Sequence, residues 1–151
     1  MRGAAAYLDS SVILKRYVRE AGSEMVRGLY LKAYSGEATI AYSMWNIGEV
    51  LGALDRAARL GRLSSMLYRV VRGRFLSETI RMAKLGVLLL LPVRSRILIE
   101  AWRILEKHHV YEADALQVAS AKYVGAESLL TGDRRLAEVA EAEGLNGVYV
   151  G

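Results

Sequence analysis

Four of the sixteen acidic residues in this 151-residue chain stand out by where they fall relative to short apolar runs. Asp9 follows directly on the run 4–8, and Asp133 closes the turn Thr131-Gly132-Asp133 after the run 128–131. Asp114 opens a segment of helical period. Glu49 lies six residues past Ser43, roughly 9 Å up a helix that Ser43 can cap. If the apolar runs are parallel strands, all four acids reach the edge where the strands' carboxyl ends emerge, and ligands bind there in open α/β sheets. Each aspartate taken alone also reads as a helix cap. Glu49 is harder to explain that way. Its neighbours at i−4, i+3 and i+4 are Trp45, Gly52 and Ala53, not the opposite charges a solvated glutamate keeps. Such an acid is either paired or awaiting a cation.

Carboxylates packed together raise one another's pKa and cannot all stay ionised, so at least one of the four is expected above its usual range. A hard divalent cation, magnesium or manganese, resolves the repulsion because it prefers carboxylate oxygen and water. Metal-bound water is a hydroxide source near neutral pH, and the chemistry implied is metal-assisted hydrolysis of a phosphodiester. The charge distribution fits that substrate. The chain carries +5, yet residues 56–86 hold eight cations against Glu78 alone, +7, which leaves −2 for the remainder. Such a block is the footprint of a polyanion binder, and also what a solvated, arginine-rich helical face looks like. Arg59, Arg62, Arg69 and Arg72 are the expected backbone contacts, with Lys15, Arg16 and Arg19 as the other path. The opposing expectation is that these arginines only solvate two helices or pair with acids such as Asp55.

Other chemistries are excluded or weakened. With no cysteine there is no disulfide scaffold, thiolate metal site or cysteine nucleophile. His108 and His109 sit at a helix end, where a cation is favoured, and read as a solvated terminus more readily than as a base. Gly61 and Gly73 stand alone, so there is no glycine-rich phosphate loop. Asp9 is followed by Ser10-Ser11, so a DxD phosphatase motif is missing. The apolar run before Asp9 is too short for a signal peptide, and the longest run, 87–91, is about a quarter of a membrane span. A soluble, cytoplasmic protein without membrane contact is expected.

These residues need a scaffold. Hydrophobic residues are 53% and charged residues 25% of the chain, with one proline, which fits one folded domain over 1–151. Strands are expected at 4–8, 38–41, 87–91, 128–131 and 148–150. Helices are expected at 11–18, 23–34, from Ser43 to near Gly61, 64–85, 95–108, 114–124 and 134–143. That alternation predicts an α/β sandwich with a mostly parallel sheet.

Taken together, the motifs resemble those of PIN-domain nucleases. The stretch from Tyr7 to Tyr17, with Asp9 ending the first strand, is similar to the family's opening motif. Ser43 with Glu49 resembles the second, Asp114-Ala115-Leu116-Gln117-Val118-Ala119-Ser120-Ala121 the third, and Thr131-Gly132-Asp133-Arg134-Arg135-Leu136 the fourth. Size is most similar to the VapC-type toxins of type II toxin–antitoxin pairs. The resemblance implies a three-layer α/β/α sandwich with a five-stranded parallel sheet, and an acidic quartet of Asp9, Glu49, Asp114 and Asp133 binding Mg2+ or Mn2+. It implies that Thr131 and Ser10 or Ser11 orient those carboxylates, that RNA is the substrate, that the protein is a homodimer, and that a small antitoxin is its partner. Glu112 reads as a first-turn acid, not a further ligand. Two alternatives stay open: a PIN nuclease of RNA maturation or decay without an antitoxin, and a catalytically silent binding module.

Overall fold

In the computed structural model, which describes residues 4–151, five strands form one sheet: β1 (Ala5–Leu8), β2 (Thr39–Ser43), β3 (Leu88–Leu91), β4 (Ser128–Thr131) and β5 (Asn146–Tyr149). Their order is β3-β2-β1-β4-β5 and every pairing is parallel. Seven helices connect them: α1 (Ser10–Tyr17), α2 (Ser23–Tyr34), α3 (Met44–Arg59), α4 (Ser65–Leu85), α5 (Ser95–His108), α6 (Glu112–Tyr123) and α7 (Arg134–Ala142). Helices α1 to α4 pack among themselves, as do α5 to α7, giving the two outer layers of an α/β/α sandwich. The middles of the central strands are apolar because both faces are covered. Tyr7, Leu8, Ile40, Ala41 and Leu129 have no exposed surface.

The chain leaves β1 for β2 on one side and returns through α5 and α6 to place β4 on the other. Strand order therefore reverses between β1 and β4, and the crevice beyond their carboxyl ends is the switch point. Asp9 and Thr131 are the residues at that crevice.

Beyond shifts of a residue at several ends, three boundaries differ from expectation. Strand β2 runs to Ser43, which pairs with Leu91 in the ladder and also caps α3. Its Oγ accepts from Trp45 N at 3.1 Å, and Asn46 Oδ1 accepts from Ser43 N at 2.8 Å. Strand β5 covers Asn146–Tyr149, earlier than the expected 148–150, and takes in Asn-Gly, a pair common in turns. The glycine is needed for packing instead: a Cβ on Gly147 would lie 2.0 Å from Ala137 O. Helix α6 starts at Glu112, so Asp114 is its third residue and not its opening one. No described helix is long and apolar enough to cross a membrane. The N-terminal run read for targeting lies partly outside the described residues.

Candidate active site

The β1–β4 side of the crevice is built from two helix caps. Asp9 N–H donates to Leu130 O at 3.1 Å, extending the strand pairing by one residue. Its carboxylate then accepts from Val12 N (3.2 Å), capping α1, and from Ser11 Oγ (2.5 Å). Its other oxygen accepts from the Thr131 hydroxyl, which is wholly buried. Thr131 Oγ1 in turn accepts from Asp133 N at 3.0 Å, and Asp133 caps α7 by accepting from Arg135 N at 2.9 Å. Capping and a place in the crevice are thus one geometry. A carboxylate that caps a helix starting at the sheet's carboxyl edge is held at that edge. Ser11 ties the two halves together, since its Oγ also accepts from Gly132 N at 3.0 Å.

The other side is built on α3 and α6. Glu49 Oε1 accepts from Ser10 Oγ at 2.6 Å and lies 3.5 Å from the side-chain amides of Asn46 and Gln117. Behind it is a buried neutral network. Asn46 Nδ2 donates to Ser10 Oγ (3.0 Å) and Gln117 Oε1 (2.8 Å). The Tyr7 hydroxyl stands 2.9 Å from both Asn46 Oδ1 and Gln117 Oε1. Burial pushes the Tyr7 hydroxyl well above its ordinary pKa, so it remains a donor. Asp114 differs from the other two aspartates: the cap of α6 is Tyr111, and Asp114 accepts no hydrogen bond among the described residues.

The electrostatics follow from what surrounds these groups. Burial raises the Asp114 carboxyl, and the charges of Asp133, Asp9 and Glu49 raise it further, in that order. Burial also raises Asp9, with the hydrogen bonds from Ser11 and Thr131 pulling the other way. Mutual repulsion, the expected cause of a raised carboxyl, acts at Asp114, whereas at Asp9 the cause is burial. Among the described residues no lysine, arginine or histidine forms an ion pair with any of them.

The donor set suits a hard cation. Every candidate ligand is an oxygen, and Glu49 Oε2, Asp133 Oδ2 and both Asp114 oxygens accept no protein hydrogen bond among the described residues. Among those residues no three His, Asp or Glu side chains are already gathered in a ligating arrangement. The carboxylates share a crevice, stand apart, and are held by neutral donors.

Sequence reasoning missed Tyr7, Asn46 and Gln117 as supporting residues. The available signals were Asn46 three residues past the Ser43 cap and Gln117 one turn past Asp114. His108 is not simply a solvated terminus: its Nε2 lies 2.7 Å from Glu143 Oε2, and His109 caps α5 with φ 58°. Neither histidine bonds to the four acids. Glu112 is exposed and accepts from Trp102 Nε1 at 3.2 Å. In the basic block, Arg59 pairs with Asp55 at 3.0 Å, and Glu78 receives a two-point bond from Arg16 at 2.9 Å each.

Solved structures with this fold come from several organisms. VapC20 of Mycobacterium tuberculosis, described as a sarcin-ricin loop cleaving toxin, is 18% identical with a TM-score of 0.66, over 95% of this chain and 98% of that one. FitAcB of Neisseria gonorrhoeae is 17% identical with a TM-score of 0.67, over 95% and 96%. VapBC2 of Rickettsia felis, bound to a promoter DNA fragment, is 14% identical with a TM-score of 0.56, over 97% of both chains. No curated protein sequence matches the chain. The PIN domain family model matches residues 6–142, a span that holds all four acids, the threonine and both serines, and the chain belongs to that family.

Proposed function

We propose that this protein is a divalent-metal-dependent endoribonuclease and the toxin of a toxin–antitoxin pair. The observation that carries the reading is the set of four carboxylates at the switch point, two capping α1 and α7 and two borne by α3 and α6, with neutral donors behind them and no cation paired with them among the described residues. Asp9, Glu49, Asp114 and Asp133 would hold Mg2+ or Mn2+. Bound there, the ion supplies Lewis acidity and an activated water for phosphodiester hydrolysis.

The chain's own residues prepare that site. Thr131 and Ser11 fix both oxygens of Asp9, and Ser10 fixes one oxygen of Glu49 while leaving the other turned free. The Tyr7–Asn46–Gln117 network locks the base of the site without adding a charge that would compete for the acids. Burial of Asp9 keeps bulk water from screening it.

The toxin reading is supported by neighbours whose own descriptions are of toxins and toxin–antitoxin complexes. An antitoxin partner and an RNA substrate for this chain follow by analogy with them. A homodimer is supported by the exposed apolar surface of α5 and the end of α6, where Ile99 (58%), Trp102 (48%) and Tyr123 (47%) face outward. The test is cleavage of RNA by wild type and Asp9→Asn with magnesium, with manganese and with chelator. Metal-dependent cleavage lost in Asp9→Asn supports the reading. Binding without cleavage by wild type at saturating metal would leave a silent binding module.

A further inference from the structure

Two adjoining clefts, of about 440 and 600 Å³, open where α1, α2 and α4 meet. They share Arg16, Tyr17 and Arg74 in their linings. Seven of the side chains around them are cationic and only Glu24 and Glu78 are acidic. Glu78 is fully engaged at the floor. It accepts two bonds from Arg16 and one each from the Tyr17 and Tyr34 hydroxyls, and Arg81 lies 3.5 Å away. The Arg16 guanidinium also stacks on the Tyr30 ring, 4.6 Å from its centroid. Arg27, Arg69 and Arg74 are different. They are exposed and make no ion pair among the described residues, although they face the cleft from α2 and α4.

The cleft side of α4 has a pattern suited to an extended ligand. Arg69, Gly73, Ser77 and Arg81 follow one another at four-residue spacing and so lie in one row along the helix. Arginines stand at the ends and the two small residues between them leave a trough about 18 Å long. A Cβ on Gly73 would meet nothing within 4 Å, so the space above it is open. Glycine is a poor helix former, and no packing contact requires it there. The cleft also lies close to the acids. Helix α1 begins beside Asp9, and Arg16 is seven residues along it, about 10 Å away in the axial direction.

We propose that this cleft carries the phosphate backbone of RNA towards the acidic crevice, with Arg27, Arg69 and Arg74 as its phosphate contacts. The inference rests on the nuclease reading for its substrate. It keeps one of the four arginines expected from sequence, Arg69, and adds Arg74 from the same basic block and Arg27 from outside it. An acidic protein segment fits less well, because protein interfaces exclude charge from an apolar centre and Val70 is the lone aliphatic side chain in these linings. Arginine is instead suited to phosphate, which it can engage through two parallel donors.

The test measures binding of fluorescent oligouridylate, in chelator, to Asp9→Asn protein at several salt concentrations. The cleft triple Arg27→Gln, Arg69→Gln, Arg74→Gln is compared with a control triple of equal charge loss outside the cleft: Arg56→Gln, Arg62→Gln, Arg72→Gln. Each phosphate contact on a single strand contributes about 0.7 to the slope of log affinity against log salt, so the cleft triple should flatten it by about 2. The control triple should change it by less than half as much. Equal slopes for the cleft triple and its parent overturn the proposal, as does an equal loss in the control. So does a polyglutamate peptide, and not RNA, whose binding depends on the cleft arginines. Metal-dependent cleavage is measured in parallel on proteins with Asp9 intact. Cleavage without a cleft-dependent slope overturns the cleft alone, and a cleft-dependent slope without cleavage overturns the nuclease reading alone.

Discussion

Carboxylates are taken out of water in three places in this protein, and they meet opposite surroundings. Glu143, with its side chain 3% exposed, lies within 4 Å of Arg103, Lys107, His108 and Lys122. Burial alone would raise its pKa, but hydrogen bonds from His108, Lys122 and Arg103 hold it well below the usual carboxylate range. Glu78 behaves the same way. Burial would raise it, and Arg16, Tyr34 and Tyr17 outweigh burial to bring it down to about 2. At the crevice the surroundings are hydroxyls, amides and other acids, and Asp9 and Asp114 are pushed up. The matched acids stay ionised because the fold brings its own cations. The crevice acids meet no cation among the described residues, so protonation or an arriving cation would neutralise them, and that absence of a built-in partner is what sets them apart from the two structural ion pairs.

The sharpest way to break this contrast is Asp9→Asn. The amide is isosteric and can still accept from Val12 N, so the fold should persist while cleavage falls by a factor on the order of 10²–10³. Single-turnover RNA cleavage and thermal unfolding, measured on the same preparation, check both halves. Glu78→Gln should do the reverse. It leaves Arg16 without its anion and should cost about 3 kcal/mol, lowering the Tm by roughly 6–12 °C. Because the Glu78 carboxyl is depressed, its contribution is complete above pH 4.5 and is lost as pH falls towards 2. Urea unfolding between pH 5 and pH 2.5 should therefore show a steeper loss in wild type than in Glu78→Gln, with those pH values set by roughly the span over which a paired carboxylate titrates.

Magnesium separates the two regions by linkage. At about a hundredfold excess over its Kd it should stabilise wild type by ~2.7 kcal/mol. That shift should shrink in Asp114→Asn and stay intact in Glu78→Gln, as read by calorimetry at neutral pH. An unchanged Tm at saturating metal would sink the metal site. The smallest effect belongs to Arg59→Gln. Its exposed pair with Asp55 should be worth less than about 0.5 kcal/mol, within the scatter of urea midpoints.

Much of the scaffold was legible because helix and strand signals here are local. Ser43, Gly86 and the apolar run at β4 mark boundaries through capping, left-handed turns and burial, none of which needs a distant partner. Strand β5 was harder, since the contact that makes Gly147 a strand residue comes from Ala137 across a turn. Two of the acids were legible for the same reason the strands were: Asp9 follows a strand end directly and Asp133 stands two residues past one. Asn46 and Gln117 were not, because nothing in either residue's neighbourhood announces a partner 71 positions away.

What the sequence alone determined is the list of acids and the edge on which they fall, because a parallel strand's end and a helix's start are fixed by short-range patterning. Which acids would be neutralised was decided by the tertiary structure. Glu78 looked like a lone acid in a basic block, and it became a buried anchor when α1 brought Arg16 to it from 62 residues away. Arg69 and Arg74 looked like the other arginines of α4 until packing placed them on clefts shared with α1 and, at Arg27, with α2. Charge counts are additive along a chain, but electrostatic energy depends on distance and burial, and those exist only after the helices have packed.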